Sequence, residues 1–78
     1  MIKVKLVSSL KKYADVDNNG LFFVDFEDDL TIADILEKTD LKKTNVKYVV
    51  MVNGKLKPQN YYICDEDNII VMPLLTGG

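Results

Sequence analysis

Histidine and tryptophan are missing from this 78-residue sequence, and there is one cysteine, Cys64. Without histidine the chain has no serine–histidine or cysteine–histidine catalytic pair of its own and no imidazole ligand for a metal. One cysteine forms no internal disulfide, zinc knuckle or iron–sulfur site. Only four glycines are present, Gly20, Gly54, Gly77 and Gly78, and none builds a phosphate-cradling loop. The longest apolar run, from Ile69 to Leu75, is broken by Pro73 and falls far short of the roughly 18 residues that a membrane span needs. The cationic excess that phosphate binding requires is absent too: ten lysines and arginines face twelve aspartates and glutamates, a net charge of −2. Nucleic acid and membrane are therefore not expected as partners.

What remains is the composition of an ordinary folded domain, 47% hydrophobic and 28% charged. At this length one domain over residues 1–78 is expected, burying only roughly 60–65% of the surface of its unfolded chain. There is room for one core and little for an enclosed active site. The opening Met1-Ile2-Lys3-Val4-Lys5 alternates charge with apolar residues, as a strand does and a signal peptide does not, so a cytoplasmic protein is expected.

Along the chain, Ile2, Val4 and Leu6 predict a half-buried first strand. Ser8 to Ala14 follows as a short helix, with Leu10, Tyr13 and Ala14 on one side and Ser8 or Ser9 as cap. The loop Asp15 to Gly20 leads to a second strand, Leu21 to Phe26, with Phe22, Val24 and Phe26 on one face, antiparallel to the first. Thr31 and Asp34 have the spacing of a capping box, and Leu30 and Ile35 that of a hydrophobic staple. They predict the main helix, with Ile32, Ile35 and Leu36 apolar, running to about Lys38 or Thr39. Val46 to Val52 reads as a strand, Asn53-Gly54 as a two-residue hairpin turn, and Lys55 to Lys57 as the return, stopped by Pro58. Tyr61, Tyr62 and Ile63 are expected to pack under the sheet edge, Cys64 to be buried, and Asp65 to Asn68 to form a solvated turn rather than a metal site. Ile69 to Leu74 is the last strand and, being apolar on both faces, the central one. This order predicts an α+β fold of β-grasp type: a mixed sheet of four to five strands with one main helix packed on one face.

Two features carry chemistry. The first is Gly77-Gly78, placed directly after the last strand as part of a flexible tail, residues 75–78. Glycine is about 7% of residues, so such a pair arises by chance in about one chain in 200 and weighs little without its setting. Extended, the four residues reach about 13–14 Å. The Gly78 carboxylate is ionised at neutral pH and is a competent nucleophile toward the α-phosphate of ATP, yet it transfers no acyl group until activated. The second feature is an apolar excess. One helix covers one face of a small sheet, so Val49, Met51, Ile70, Met72 and Leu74 are expected to form an exposed patch on the other, a mark of partner contact, continued by Leu75 and Thr76.

Three stretches, Val4-Lys5-Leu6 running into Leu10-Lys11-Lys12-Tyr13, the hairpin Val52-Asn53-Gly54-Lys55, and the acidic turn, apolar strand, Pro73 and Thr76-Gly77-Gly78, resemble the MoaD/ThiS family of sulfur carriers, relatives of ubiquitin in fold. The first loop is similar to that of MoaD-like members; the short segment after the main helix is similar to that of ThiS-like ones. The resemblance implies a carrier rather than an enzyme, with no cofactor of its own. An adenylating enzyme of the MoeB/ThiF kind would activate Gly78 with ATP, with Gly77 keeping the approach narrow. Sulfide from a persulfide would displace AMP to leave a thiocarboxylate. The sulfur would then pass to an acceptor on the large subunit of molybdopterin synthase (MoaE-like), for the molybdenum or tungsten cofactor, or on a thiazole synthase (ThiG-like), for thiamine. Met72 falls where MoaD proteins often place an aromatic that touches the activating enzyme. The other readings are a protein modifier joined to lysines through Gly78 and an interaction module with an inert tail.

Overall fold

The computed structural model of the chain describes residues 1–74. Strand β1 (Ile2–Leu6) is followed by a 3₁₀ helix (Ser8–Tyr13), β2 (Leu21–Val24), α1 (Ile32–Glu37) and a second 3₁₀ turn (Leu41–Lys43). Then come β3 (Tyr48–Val52), β4 (Lys55–Leu56) and β5 (Asn68–Pro73). The five strands form one sheet in the order β2-β1-β5-β3-β4. β1 runs antiparallel to β2 and parallel to β5, and β5 runs antiparallel to β3. This is the mixed β-grasp sheet that the element order predicts, with β5 in the middle.

Alternation decides which side is covered. Ile2, Val4 and Leu6 are fully buried while Lys3 and Lys5 between them are exposed. On β5, Ile69 and Val71 are buried, and on β3, Val50 and Val52. These side chains cluster with Ile32, Ile35 and Leu36 of α1 into the core. The helix starts where its capping box dictates. The Thr31 hydroxyl accepts from the Asp34 N–H at 3.3 Å, and Asp34 Oδ2 accepts from the Thr31 N–H at 3.0 Å. Both staple residues, Leu30 and Ile35, are buried. The hairpin turn is equally direct: Asn53 and Gly54 have φ of 51° and 86°, the left-handed pair that a two-residue turn between twisted strands requires.

The structure departs from the sequence reading at several points. The first helix is a 3₁₀ helix without a serine cap. Val7 still donates to the Val71 carbonyl at 3.0 Å as an extension of the sheet, and Ser8, at φ 58°, makes the turn itself. β2 stops at Val24, not Phe26, where its ladder with β1 ends at the Ile2–Val24 pair. β3 begins at Tyr48, not Val46, where its ladder with Pro73 begins. Tyr62 is exposed: the stretch bridges Thr31 in extended conformation, so Tyr61 and Ile63 turn inward and Tyr62 outward. Cys64 is exposed rather than buried.

The acidic turn is not wholly solvated either. Asp67 is buried, its carboxylate accepting from the Cys64 N–H and from Asn53 Nδ2, both at 2.9 Å. The Asn53 side chain in turn accepts from the Asn68 N–H at 3.0 Å. The turn before β5 is thereby tied to the hairpin between β3 and β4.

The capping carboxylate gives the fold an acid sensitivity. Donation from Thr31, chiefly from its backbone N–H, holds the Asp34 carboxyl below the usual aspartate value. A depressed value means that the folded chain takes up this proton less readily than the unfolded one. The stabilisation is complete above the unfolded value of about 3.9 and is lost as pH falls through the folded value. Asp17, bonded by the N–H groups of Leu21 and Asn19, behaves alike. Urea unfolding of Asp34→Asn should therefore show a smaller difference between about pH 7 and about pH 3 than the parent chain shows. Parallel curves would rule the cap out as a source of acid lability.

Candidate functional site

The side of the sheet away from α1 holds the apolar residues that the sequence singled out. In the β3–β5 ladder Val49 stands opposite Met72 and Met51 opposite Ile70, so these four share one face, and all are only half-buried. Leu74, one residue past β5 and 46% exposed, continues the row. Its N–H donates to the Lys47 carbonyl at 3.0 Å, which carries the pairing with β3 beyond the last ladder residue. The point at which the chain leaves the sheet is thus fixed against the apolar face. Leu75, Thr76, Gly77 and Gly78, also singled out by the sequence, lie outside the described residues.

The pairing adds residues that the sequence reading passed over. Leu56 of β4 stands opposite Met51 and is 66% exposed, which widens the patch toward the hairpin. Its signal was a lone leucine between Lys55 and Lys57, in a return strand too short to show alternation. On the other flank Lys5 stands beside Ile70 in the parallel β1–β5 ladder, with exposed Lys3 on the same face. Lys47, two residues before Val49, lies on this face by the strand's period of two and is also exposed. The patch is therefore apolar in the middle and cationic around it. Where β4 ends after two residues, a shallow cleft of about 360 Å³ opens beside Val49, lined by Tyr48, Leu56 and Pro58 among others. Such a surface suits a partner that presents apolar side chains within an acidic surround.

Among the described residues no three histidine, cysteine, aspartate or glutamate side chains converge as a metal site would need. The acidic turn provides none, since the Asp67 carboxylate is engaged by Asn53 and Cys64. No helix among them is long and apolar enough to cross a membrane.

Comparison with known proteins places this architecture. The model of the ThiS family matches residues 10–78, a stretch that includes β5 and both glycines of the Gly77-Gly78 pair. Among solved structures, SAMP1 from Haloferax volcanii superposes with a TM-score of 0.74 at 19% identity, over 99% of this chain and 98% of that one. A second structure, H. volcanii small archaeal modifier protein 1, gives a TM-score of 0.74 at 17% identity over 95% and 97% of the two chains. At such identities the likeness establishes the fold. A search of curated proteins returned no match. With the family model matching nearly nine-tenths of its length and the five-stranded sheet matching throughout, the chain belongs to the ThiS family and has the ubiquitin-like β-grasp fold.

Proposed function

We propose that this chain is a sulfur carrier whose working group is the carboxylate of Gly78. The observation that carries the reading is the double role of β5: it forms the middle of the apolar face and leads, through Leu74, into Thr76-Gly77-Gly78. An activating enzyme seated on Val49, Met51, Ile70 and Met72 would find Gly78 no more than about 13–14 Å of extended chain beyond Leu74.

The chemistry follows from the carboxylate. As an anion it attacks the α-phosphorus of ATP; an acyl-adenylate forms and pyrophosphate leaves. The terminal sulfur of a persulfide then attacks the acyl carbon, AMP leaves, and a thiol cleaves the resulting acyl disulfide to give the thiocarboxylate. The chain supplies only the acid and the surface that docks it; base, magnesium site and persulfide belong to the partner. We assign the sulfur to molybdopterin synthesis through a MoaE-like large subunit, because the loop after β1 is similar to that of MoaD-like proteins. A ThiG-like thiazole synthase is the alternative recipient. The likeness to small archaeal modifier protein 1 favours, as a second reading, attachment of Gly78 to lysines of other proteins.

The test is an intact mass taken after incubation with ATP, a MoeB/ThiF-type enzyme and a persulfide donor. A gain equal to sulfur replacing one oxygen is expected; its absence with an active enzyme would exclude the carrier reading. Lysine-linked conjugates in place of that mass would favour the modifier. A variant probes the docking face. Met72→Glu puts an anion amid the apolar residues that would meet an acidic partner, and Met72 is only half-buried, so the fold persists. The rate of adenylation at limiting carrier should fall about tenfold or more, with the urea midpoint little changed. An unchanged rate would remove Met72 from the interface.

A further inference from the structure

The outer edge of β2 bounds the sheet on the side away from β3. The Leu6 N–H donates to the Gly20 carbonyl at 2.8 Å, and the register sets Phe22 opposite Val4 and Val24 opposite Ile2. Bonded and non-bonded positions alternate along an antiparallel pair. Gly20, Phe22 and Val24 therefore bond to β1, whereas Leu21 and Phe23 turn their N–H and C=O groups outward. The Asp17 loop satisfies Leu21: the Asp17 N–H donates to the Leu21 carbonyl at 3.0 Å, and Asp17 Oδ1 accepts from the Leu21 N–H at 3.0 Å. Among the described residues no other segment does the same for Phe23. The Phe23 side chain is itself 57% exposed. Beside it lies a cleft of about 390 Å³, lined by Ala14 and Phe22, by the acids Asp15, Asp25 and Glu27, and by Lys38.

We propose that this edge is a second docking site, one that takes an extended, lysine- or arginine-bearing segment of a partner protein as an added strand. The outward N–H and C=O of Phe23 supply the main-chain bonds of strand addition, and the cleft takes a side chain of the incoming segment. Three carboxylates against one ammonium set the sign of the guest's charge. A second copy's β2 is a poor guest, since residues 15–29 hold no lysine or arginine for these carboxylates to meet. On the outer face Lys3 stands opposite Phe23 and Lys5 opposite Leu21, so the guest's cation is placed on the cleft side, among Asp15, Asp25 and Glu27. This inference does not depend on the sulfur-carrier reading.

Titration of the isotope-labelled protein with a capped peptide of alternating lysine and valine, followed by amide NMR, tests it. A peptide with glutamate in place of lysine is the control. Amide signals of Phe23, Asp25 and Lys38 should shift with the lysine peptide while those of Met51 and Met72 stay, and the shifts should shrink as salt is added. Asp25→Lys combined with Glu27→Lys should weaken binding about tenfold or more without touching the core. Phe23→Pro should abolish it while the sheet persists, because the donor it removes is not one that β1 uses. Equal shifts with the glutamate peptide, shifts confined to the Met51–Met72 face, or no shifts at all would overturn the proposal. So would shifts at Phe23 that grow with protein concentration alone, which would mean self-pairing.

Discussion

Removing Gly78 should abolish thiocarboxylate formation and leave the unfolding transition where it was. The two halves of this expectation rest on different parts of the chain. The core is complete by Val71, and the pairing with β3 is closed by the bond from Leu74 to Lys47. No described contact is lost with residue 78. The chemistry, by contrast, depends on where the acid stands. Taking away one residue draws the carboxylate back by up to about 3.8 Å, and a misplacement of about 1 Å already costs on the order of 100-fold in rate. Activity should fall at least that far, below detection by intact mass. A chain that keeps Gly78 but ends in an amide should fail in the same assay, since it has the reach without the nucleophile. A shortened chain that is still adenylated would refute the assignment of Gly78, whatever became of the fold.

The second large effect concerns stability. Ile35 of α1 is fully buried in the cluster that joins the helix to β1 and β5. Ile35→Ala removes buried volume that a small core cannot refill, at a cost of about 2–5 kcal/mol. A chain of 78 residues has about 4–12 kcal/mol in total. Each kcal/mol moves Tm by about 4–8 °C at this size, so the variant should melt at least about 8 °C lower. Ile70→Ala is the contrast: the same residue type on the other side of the sheet, half-buried and facing no helix. Its loss should cost less than half as much in a calorimetric comparison. Equal losses would show that the apolar face is covered in the free protein.

The contrast between Ile35 and Ile70 also explains what was legible in the sequence. Signals confined to a few neighbouring residues were read correctly: the Thr31–Asp34 cap, the Asn53-Gly54 turn, and the alternation Ile2-Lys3-Val4-Lys5. The central place of β5 was legible because apolar residues on both its faces exceed what an edge strand needs. The open patch followed from the same excess, since a single six-residue helix leaves one face bare. Features set by partners distant in sequence were not legible. Phe26 has the composition of a strand residue, but the ladder between the first two strands ends at the Ile2–Val24 pair. Asp67 resembles any acid in a polar turn until Asn53 is brought beside it. Leu56 and Lys5 join the apolar face only through pairings with β3 and β5. Ser8 is asked to turn the chain at a positive φ, a role that its side chain does not advertise.

The placement of β5 also bears on how the protein is made. It is synthesised after every other described element, yet it must slot between β1 and β3, which have no pairing with each other. Until it arrives, the first hairpin and the second are unlinked halves, and the longest loop closures are left to the end. Folding therefore waits on a segment that immediately precedes the glycine pair. A chain cut short before β5 should therefore lack a stable sheet and be open to proteolysis. On the proposed sulfur-carrier reading, this order of strands ties the presence of a folded docking face to a chain synthesised nearly as far as Gly78.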